Sequence, residues 1–216
     1  MNLIIDVGNS FVKLAVFKDG KIHDKFKVKS NDVLKTLRHI RKEYKDIHDA
    51  IISSVGSLRK TDFAYVQKYY NVLVLTSKTK VPFKNLYNTP KTLGIDRMVL
   101  AAGAVIEYPN QNILIIDAGT CITYDFVDSN GCFLGGNISP GIQMRIRAMN
   151  SHTANLPLVE MEIPEDILGK NTTQALQNGS IRGTFYEIES FISQLEKKYG
   201  DSRVILTGGD AFYFVD

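Results

Sequence analysis

Two apolar runs in this chain are each followed by an acidic residue and a glycine turn. Residues 3–5 lead into Asp6-Val7-Gly8, and residues 113–116 lead into Asp117-Ala118-Gly119. Short apolar runs bounded by turn residues predict buried strands. The apolar positions that follow each turn predict two more strands, so a three-stranded meander is expected over residues 2–28 and again over residues 112–138.

The two meanders show an internal repeat. Asp6 and Asp117 are 111 positions apart, and so are the glycines two positions after each of them. The same offset separates two tight-turn signals, at residues 19–20 and 130–131, and each predicts a two-residue hairpin. A repeat of strand, glycine turn, strand, tight turn and strand is therefore visible within the single chain.

The remaining pattern alternates between helices and strands. Apolar residues at helical spacing predict helices near residues 30–44, 61–70, 95–109, 141–150 and 172–199. Further strands are predicted near residues 50–55, 72–75 and 203–206, and residues 76–92, with Pro82 and Pro90, are predicted to form a loop. Gly179 and Gly183 lie on one face of the last helix, which predicts close approach of another backbone, within the fold or across a dimer.

Composition narrows the class of protein. The 216 residues are 44% hydrophobic, and no apolar run approaches the roughly 20 residues needed to span a bilayer. The chain enters a strand at once, leaving no room for a signal peptide, so a cytoplasmic location and no membrane partner are expected. The net charge of +3 is small and its basic residues are spread out, so no nucleic-acid partner is expected. Cys121 and Cys132 are predicted to lie too far apart for a disulfide.

The duplicated turn carries the candidate chemistry. Backbone amides and a threonine hydroxyl can cradle a phosphate, and an aspartate at a strand end can hold the cation that neutralises it. A single such turn could equally be a hairpin whose aspartate only stabilises it. Two repeated units facing each other, however, would place two acidic turns on opposite sides of one cleft.

At this point the chain resembles a known superfamily. The segments Asp6–Ser10 and Asp117–Thr120 look like the two phosphate-binding turns of the acetate and sugar kinase, heat-shock chaperone and actin superfamily. Within it, Leu93-Gly94-Ile95-Asp96-Arg97 and Gly135-Gly136-Asn137-Ile138-Ser139-Pro140-Gly141 resemble type III pantothenate kinases. The resemblance implies an α/β fold of two ribonuclease H-like halves, residues 1–109 and 110–216. Each half would be a mixed sheet flanked by helices, with the active-site cleft between them.

The resemblance also implies an activity: phosphorylation of pantothenate to 4'-phosphopantothenate by ATP, the first step of coenzyme A biosynthesis. Asp96 is expected to be the general base, and Arg97 to bind the pantothenate carboxylate or the transferring phosphoryl group. A magnesium ion would be positioned by Asp6, and a monovalent cation, potassium or ammonium, would be bound at Asp117. The spacing alone does not distinguish potassium from magnesium there. A homodimer with its interface beside the pantothenate site is expected.

The other expected site residues follow from the same resemblance. The ATP-binding residues are expected to be Asp6, Val7, Gly8, Asn9, Ser10, Phe11, Val12, Lys13 and Thr120. The pantothenate-binding residues are expected to be Tyr87, Gly94, Ile95, Asp96, Arg97 and Thr172. Three of these have plainer interpretations: Lys13 as an exposed strand lysine, Asp96 as a residue favoured by the helix dipole, and Thr172 as a helix N-cap.

Two departures from the family pattern bear on activity. Ser10 stands where threonine is usual, which keeps the hydroxyl. The repeat and the family both predict a further helix after residues 207–209, so this chain is expected to lack a segment that could contribute to nucleotide contacts or to the dimer.

Three rival functions remain to be weighed. An actin- or chaperone-like binding module would share the phosphate turns but has no need for the Gly-Ile-Asp-Arg element, and 216 residues leave no space for its peptide-binding domain. A ribonuclease H-like nuclease would need Asp6, Asp96 and Asp117 clustered around two metals about 4 Å apart. A non-catalytic or regulatory nucleotide-binding module stays open as the alternative.

Overall fold

The fold was analysed in a computed structural model, which describes residues 1–8, 11–54 and 58–215. Contacts divide the chain into two compact units. The first contains residues 1–80 and 89–99, and the second contains residues 81–88 and 100–216. The boundary between repeat halves at residues 109 and 110 stays a prediction.

The first unit contains a mixed five-stranded sheet. Its strands are β1 (Asn2–Val7), β2 (Val12–Lys18), β3 (Lys21–Val28), β4 (Asp49–Ser54) and β5 (Asn71–Val74). They lie in the order β3-β2-β1-β4-β5. The antiparallel pairs β1–β2 and β2–β3 form the predicted meander, whereas β4 runs parallel to both β1 and β5.

Buried residues alternate with more exposed ones along these strands, and the buried residues mark the face of the first sheet that the helices cover. Leu3, Ile5 and Val7 on β1 are buried, together with Leu14 on β2. They pack with residues from helices α1 (Val33–Glu43) and α2 (Lys60–Tyr69) in one apolar cluster. Asp6 lies between buried neighbours on β1, so its side chain lies on the opposite face from this core.

The second unit contains the repeated sheet. Its strands are β6 (Lys84–Asn85), β7 (Ile113–Ala118), β8 (Cys121–Val127), β9 (Cys132–Pro140) and β10 (Arg203–Thr207). Their order is β10-β7-β8-β9-β6, with β10 parallel to β7. Strand β6 lies within the segment predicted to be a loop, so that prediction was wrong at residues 84–85. Two residues are too few to give a periodic signal.

The internal repeat is confirmed by the strand order. In the first sheet β3, β2, β1 and β4 are neighbours, and in the second β9, β8, β7 and β10 repeat the same order and directions. Asp6 and Asp117 occupy equivalent places, each one residue before the end of its strand. The predicted fold, two mixed sheets flanked by helices in duplicated ribonuclease H-like halves, is confirmed.

The two predicted hairpin turns differ in detail. Asp19 and Gly20 both have positive φ, +52° and +75°, as the two-residue turn requires. The second turn is a four-residue loop over residues 128–131. There the Asp128 Oδ1 accepts hydrogen bonds from the backbone N–H of Asn130 at 3.0 Å and of Cys132 at 2.8 Å. The aspartate side chain thus closes a wider loop that the asparagine-glycine signal did not predict.

Further helices are α3 (Ile95–Glu107), α4 (Ile142–His152) and α5 (Thr172–Tyr199). Helix α5 packs Ile188 on the apolar face of β7 and β8. A Cβ atom added at Gly179 or Gly183 would meet nothing within 4 Å. Close backbone approach within the described fold was therefore a wrong expectation for these two glycines, and the dimer alternative stays a prediction. Within the described ranges, no helix has both the length and the apolar character to cross a membrane.

Candidate active site

The first glycine turn follows β1 directly. The Gly8 N–H donates to the Phe11 carbonyl oxygen at 3.1 Å, which closes the turn. Val7 and Val12 are core residues, so only their backbone could meet a nucleotide. Phe11 is exposed, and the Lys27 ammonium nitrogen lies 4.7 Å from its ring centroid. Asn9 and Ser10, also expected to bind ATP, lie outside the described residues.

Asp6 lies beside Lys13 on the face of the sheet opposite the core. The two residues are cross-strand partners, and the Lys13 ammonium nitrogen is 3.9 Å from Asp6 Oδ2. Burial raises the pKa of the Asp6 carboxyl, Lys13 lowers it by a smaller amount, and Asp96 raises it again. Asp96 is therefore close enough for its charge to act on Asp6. The first unit brings together Asp6, Lys13 and Asp96, three of the predicted site residues.

Helix α3 begins at the Gly-Ile-Asp-Arg element, as predicted. Asp96 lies in its first turn, where Oδ1 accepts a hydrogen bond from the Arg97 N–H at 2.9 Å. A Cβ atom on Gly94 would lie 2.4 Å from that same carboxylate oxygen, so glycine leaves the space in which the Asp96 side chain folds over the helix start. Ile95 is the first residue of the helix. Arg97 is buried, with 5% of its surface exposed.

The second glycine turn follows β7 and is built in the same way. The Gly119 N–H donates to the Cys121 carbonyl oxygen at 3.1 Å, as Gly8 does to Phe11. Asp117, one residue before the end of β7, is paired across the sheet with Thr123 on β8 and Thr207 on β10. Thr120 is exposed, and its carbonyl oxygen accepts from the Gly141 N–H at 3.1 Å.

Two other glycines pack against this turn. Gly208 has φ of +101°, and a Cβ atom there would lie 2.1 Å from the Ala118 carbonyl oxygen and 2.6 Å from Asp117 Oδ1. A Cβ atom on Gly141 would lie 2.1 Å from the Gly119 carbonyl oxygen. Both positions therefore exclude any larger residue unless the turn moves. Gly208 and the Pro140-Gly141 element thus lie against Asp117–Thr120.

Thr123 is a candidate that the sequence analysis missed. It is buried, and its hydroxyl oxygen has no hydrogen-bond partner among the described residues. An unpartnered buried hydroxyl costs about 1–3 kcal/mol unless something binds it. Thr123 and Asp117 are cross-strand partners, whose Cβ atoms lie about 5 Å apart, so both side chains are on the same face of the sheet. A carboxylate and a neutral oxygen are donors that suit a hard cation. The signal in the sequence was a polar position within the apolar strand that follows the turn.

In the described part of the chain, no group of three or more histidine, cysteine, aspartate or glutamate side chains could hold a metal ion. Both cysteines are free, as predicted.

Tyr87, expected to contact pantothenate, lies beside the Gly-Gly element. Its N–H donates to Asn85 Oδ1 at 2.9 Å, and its ring packs edge-on against Phe133 with centroids 6.2 Å apart. A Cβ atom on Gly135, whose φ is +130°, would lie 3.7 Å from the Tyr87 ring. The structure therefore brings together Tyr87 and the Gly135-Gly136 segment, which lie far apart in the sequence.

Thr172 is exposed at the first position of α5, but it is not the N-cap. Asn171 caps the helix, and its Oδ1 accepts from the Gln174 N–H at 2.9 Å. The plainer interpretation of Thr172 as a capping residue was therefore wrong. Its expected contact with pantothenate stays a prediction.

Comparison with known proteins connects these elements to a family. The family model described as type III pantothenate kinase matches residues 2–194. A type III pantothenate kinase of Flavobacterium johnsoniae is 44% identical over 211 residues, which cover 98% of this chain and 86% of the relative. One from Bacteroides fragilis is also 44% identical, over 99% of this chain and 88% of the relative.

Solved structures agree with the fold. A conserved protein from Campylobacter jejuni, proposed as a Baf family transcriptional activator, has a TM-score of 0.63 at 21% identity, covering 98% of this chain and 85% of that one. The ethanolamine utilization protein EutJ from Carboxydothermus hydrogenoformans has a TM-score of 0.52 at 14% identity, covering 98% and 77%. At these identities the likeness concerns the fold alone.

Proposed function

The chain belongs to the type III pantothenate kinase family, and we propose that it transfers the γ-phosphoryl group of ATP to pantothenate. The product is 4'-phosphopantothenate, and the reaction is the first step of coenzyme A biosynthesis. The observation that carries this conclusion is the 44% identity to curated type III pantothenate kinases over nearly the whole chain. The duplicated glycine turns supply the structural support.

Phosphoryl transfer needs the phosphates held, their charge offset, and the attacking hydroxyl aligned and deprotonated. We assign the last role to Asp96. Its carboxylate lies in the first turn of α3, close enough to Asp6 to affect that carboxyl's pKa. It would accept the proton of the pantothenate hydroxyl as the new O–P bond forms and the bond from the γ-phosphorus to the β,γ-bridging oxygen breaks.

The nucleotide phosphates are assigned to the two glycine turns. The Gly8 and Gly119 amides already donate within their own turns, so they are not available as phosphate donors in this conformation. Lys13 and the exposed Thr120 therefore carry more of the proposed phosphate binding than the glycine amides do. Lys13 would supply positive charge directly beside Asp6.

Two cations are included in the proposal. Asp6 would hold Mg²⁺, whose charge offsets that of the ATP phosphates. The raised pKa of Asp6 fits this role, because a bound cation would stabilise a carboxylate that burial and Asp96 disfavour. Asp117 would hold K⁺ or NH₄⁺. The unpartnered hydroxyl of Thr123 beside it fits a cation that prefers oxygen ligands.

Pantothenate binding is assigned to Tyr87, Gly94, Ile95, Asp96, Arg97 and Thr172. Arg97 would pair with the pantothenate carboxylate or with the transferring phosphoryl group, and its near-complete burial favours a strong, directed interaction. We further propose a cytoplasmic homodimer with its interface beside this site. Open space at Gly179 and Gly183 supports the α5 face as part of that interface.

A coupled ADP-release assay tests the proposal. The protein is assayed with ATP, Mg²⁺ and pantothenate, once with KCl and once with NaCl at equal ionic strength. We expect pantothenate-dependent ADP formation that is faster with K⁺. ATP binding without pantothenate-dependent turnover in either salt would favour the alternative, a non-catalytic nucleotide-binding module.

A further inference from the structure

The second glycine turn is held in place by the segment that follows β9. The Gly141 N–H donates to the Thr120 carbonyl oxygen at 3.1 Å, and Pro140 pairs with Cys121 in the β8–β9 ladder. The space for a Cβ atom at Gly141 is filled by the Gly119 carbonyl oxygen. A displacement of Pro140–Gly141 would therefore move the turn that carries Thr120.

The Arg145 side chain binds this segment. Arg145, on the first turns of α4, donates through Nε to the Pro140 carbonyl oxygen at 2.8 Å and through Nη2 to Ser139 Oγ at 2.8 Å. Gly141 is the N-cap of α4 and makes no side-chain capping bond. The planar guanidinium thus binds Ser139 and Pro140, the two residues that precede the N-cap of α4.

Arg145 is oriented in turn by the rest of the unit. Its Nη2 lies 2.6 Å from Glu187 Oε2 on α5, and the other oxygen of Glu187 accepts from the Tyr124 hydroxyl at 2.8 Å. Tyr124, on β8, is almost fully buried, and its ring lies 4.4 Å from that of Phe191. Side chains from α4, α5 and β8 therefore meet in one network.

The charge of this network is stable near neutral pH. Burial alone would raise the pKa of the Glu187 carboxyl, but hydrogen bonds from Arg145, Ser139 and Tyr124 outweigh burial and lower its pKa. Burial and the bond to Glu187 raise the pKa of the Tyr124 hydroxyl. Glu187 consequently stays ionised and Tyr124 stays protonated, so the ion pair between Arg145 and Glu187 and the hydrogen bond from Tyr124 to Glu187 both persist.

We propose that Arg145, held by Glu187 and Tyr124, is a positioning residue for the ATP-binding turn at Asp117–Thr120. The inference rests on the proposed function, because it takes this turn to bind the phosphates of ATP. A half-buried ion pair contributes little net stability compared with apolar residues of the same size. Its directed hydrogen bonds instead select one position for Ser139 and Pro140, and hence for Thr120.

The experiment measures nucleotide affinity separately from catalysis. Calorimetric titration of the full chain with ADP and with ATP plus Mg²⁺ gives Kd for wild type, Arg145→Met, Arg145→Lys and Glu187→Gln. Because Arg145→Met removes the two hydrogen bonds that fix Ser139 and Pro140, it should weaken nucleotide binding about tenfold or more. Glu187→Gln, which keeps an acceptor, should show a smaller loss, and Arg145→Lys should restore part of the affinity.

Arg203→Met is the matched control. Arg203 starts β10, at the end of the same sheet opposite the second turn, and its guanidinium lies 5.1 Å from the Tyr108 ring centroid. The Arg203→Met variant also lacks a guanidinium group, but its Kd for nucleotide should equal that of the wild type. Hydrogen exchange of the peptide containing residues 117–123 supplies a second readout, which should be faster in Arg145→Met and unchanged in Arg203→Met.

The outcomes separate this inference from the proposed function. Melting temperatures that fall while nucleotide Kd stays within about threefold would make Arg145 a merely structural residue and overturn the inference. If Arg145→Met does not fold, unchanged Kd in both Glu187→Gln and Arg145→Lys would overturn it equally. Wild-type protein that binds ATP but does not phosphorylate pantothenate would sink the proposed substrate instead, and the titrations would still decide the role of Arg145.

Discussion

Lys13 lies directly opposite Asp6 across the first hairpin, with its ammonium nitrogen 3.9 Å from Asp6 Oδ2. Both side chains are on the face of the sheet away from the hydrophobic core, and both are partly exposed. At this distance and exposure the pair adds little to stability. We therefore propose that the pair serves ligand binding. Asp6 would bind a cation, and Lys13 would bind a phosphate group at the end of the same strand pair.

Replacement of Lys13 by methionine should weaken ATP binding without unfolding the protein. Methionine keeps the length of the side chain and removes its charge. Loss of one charge-assisted phosphate contact of about 1.4 kcal/mol or more corresponds to a rise in the KM for ATP of about tenfold or more, with the KM for pantothenate changing much less. Steady-state kinetics measure both constants. Lys18→Met, at the far end of the same strand, is the control, and an equal effect there would contradict a direct phosphate contact.

Asp6 should make the ligand-free protein less stable at neutral pH than it is at mildly acid pH. Burial raises its pKa above the ordinary 3.8, so the folded state binds the proton more tightly than the unfolded state does. The resulting decrease in the free energy of unfolding is complete above the raised pKa. It becomes smaller as the pH falls through that pKa, and it vanishes below 3.8. Asp6→Asn should consequently raise the melting temperature at about pH 8 and progressively less toward about pH 4, while it abolishes Mg²⁺-dependent ATP binding.

Thermal melts across this pH range test the sign. Asp19→Asn, in the exposed hairpin turn, removes the same charge and should show no such trend. An Asp6→Asn protein that is less stable than wild type at about pH 8 would show that the carboxylate is stabilised by the fold rather than disfavoured by it.

The strands of both meanders could be predicted from the sequence because their apolar residues alternate or form a continuous run next to a glycine turn. Leu3, Ile5 and Val7 bury alternately, and residues 113–116 are buried on both faces. The short strand β6 and the loop at Asp128 were not readable. The first takes its partner from β9, distant in sequence, and the second depends on a side chain that bonds two backbone amides. The pairing of β6 is a tertiary contact that local propensity does not encode, whereas the loop at Asp128 is a local side-chain arrangement that the asparagine-glycine signal did not reveal.

Potassium should stabilise the protein through Thr123 as well as Asp117. A ligand at ten times its Kd stabilises the folded state by about 1.4 kcal/mol, so exchanging KCl for NaCl at constant ionic strength should lower the melting temperature. Thr123→Val removes the unpartnered hydroxyl at nearly constant volume and should remove most of this difference, whereas Thr123→Ser should keep it. Equal K⁺-dependent shifts in wild type and Thr123→Val would exclude the hydroxyl as a ligand.

Gly179→Ala should separate monomer stability from dimer affinity. A Cβ atom there has open space within the fold, and alanine in a helix is favoured over glycine by about 1 kcal/mol. The monomer should thus become slightly more stable. If the α5 face meets its copy in a homodimer, the added methyl group should weaken association, which sedimentation over a range of concentrations measures. A dimer constant unchanged by both Gly179→Ala and Gly183→Ala would place the interface elsewhere.

Site residues that belong to a short sequence motif could be predicted. Site residues whose role depends on partners from other strands or helices could not. Asp6, Asp96 and Asp117 were found because each lies near the start or the end of an element, two positions from a glycine. Thr123 and Arg145 were missed, because their importance comes from partners on other strands and helices. The glycine amides are the reverse case. The repeat predicted that these amides would donate to phosphate, yet the Gly8 and Gly119 N–H groups donate to carbonyl oxygens within their own turns.

The turnover of Asp96→Asn with pantothenate tests the central claim most directly. Asparagine keeps the size and most hydrogen bonds of Asp96 but cannot accept the proton, and removal of a general base typically costs about 10²–10⁴ in rate. The account predicts that kcat for ADP release falls by that factor while the KM for pantothenate changes far less. A kcat within about threefold of wild type would contradict it, because Asp96 would then be only a helix-start residue.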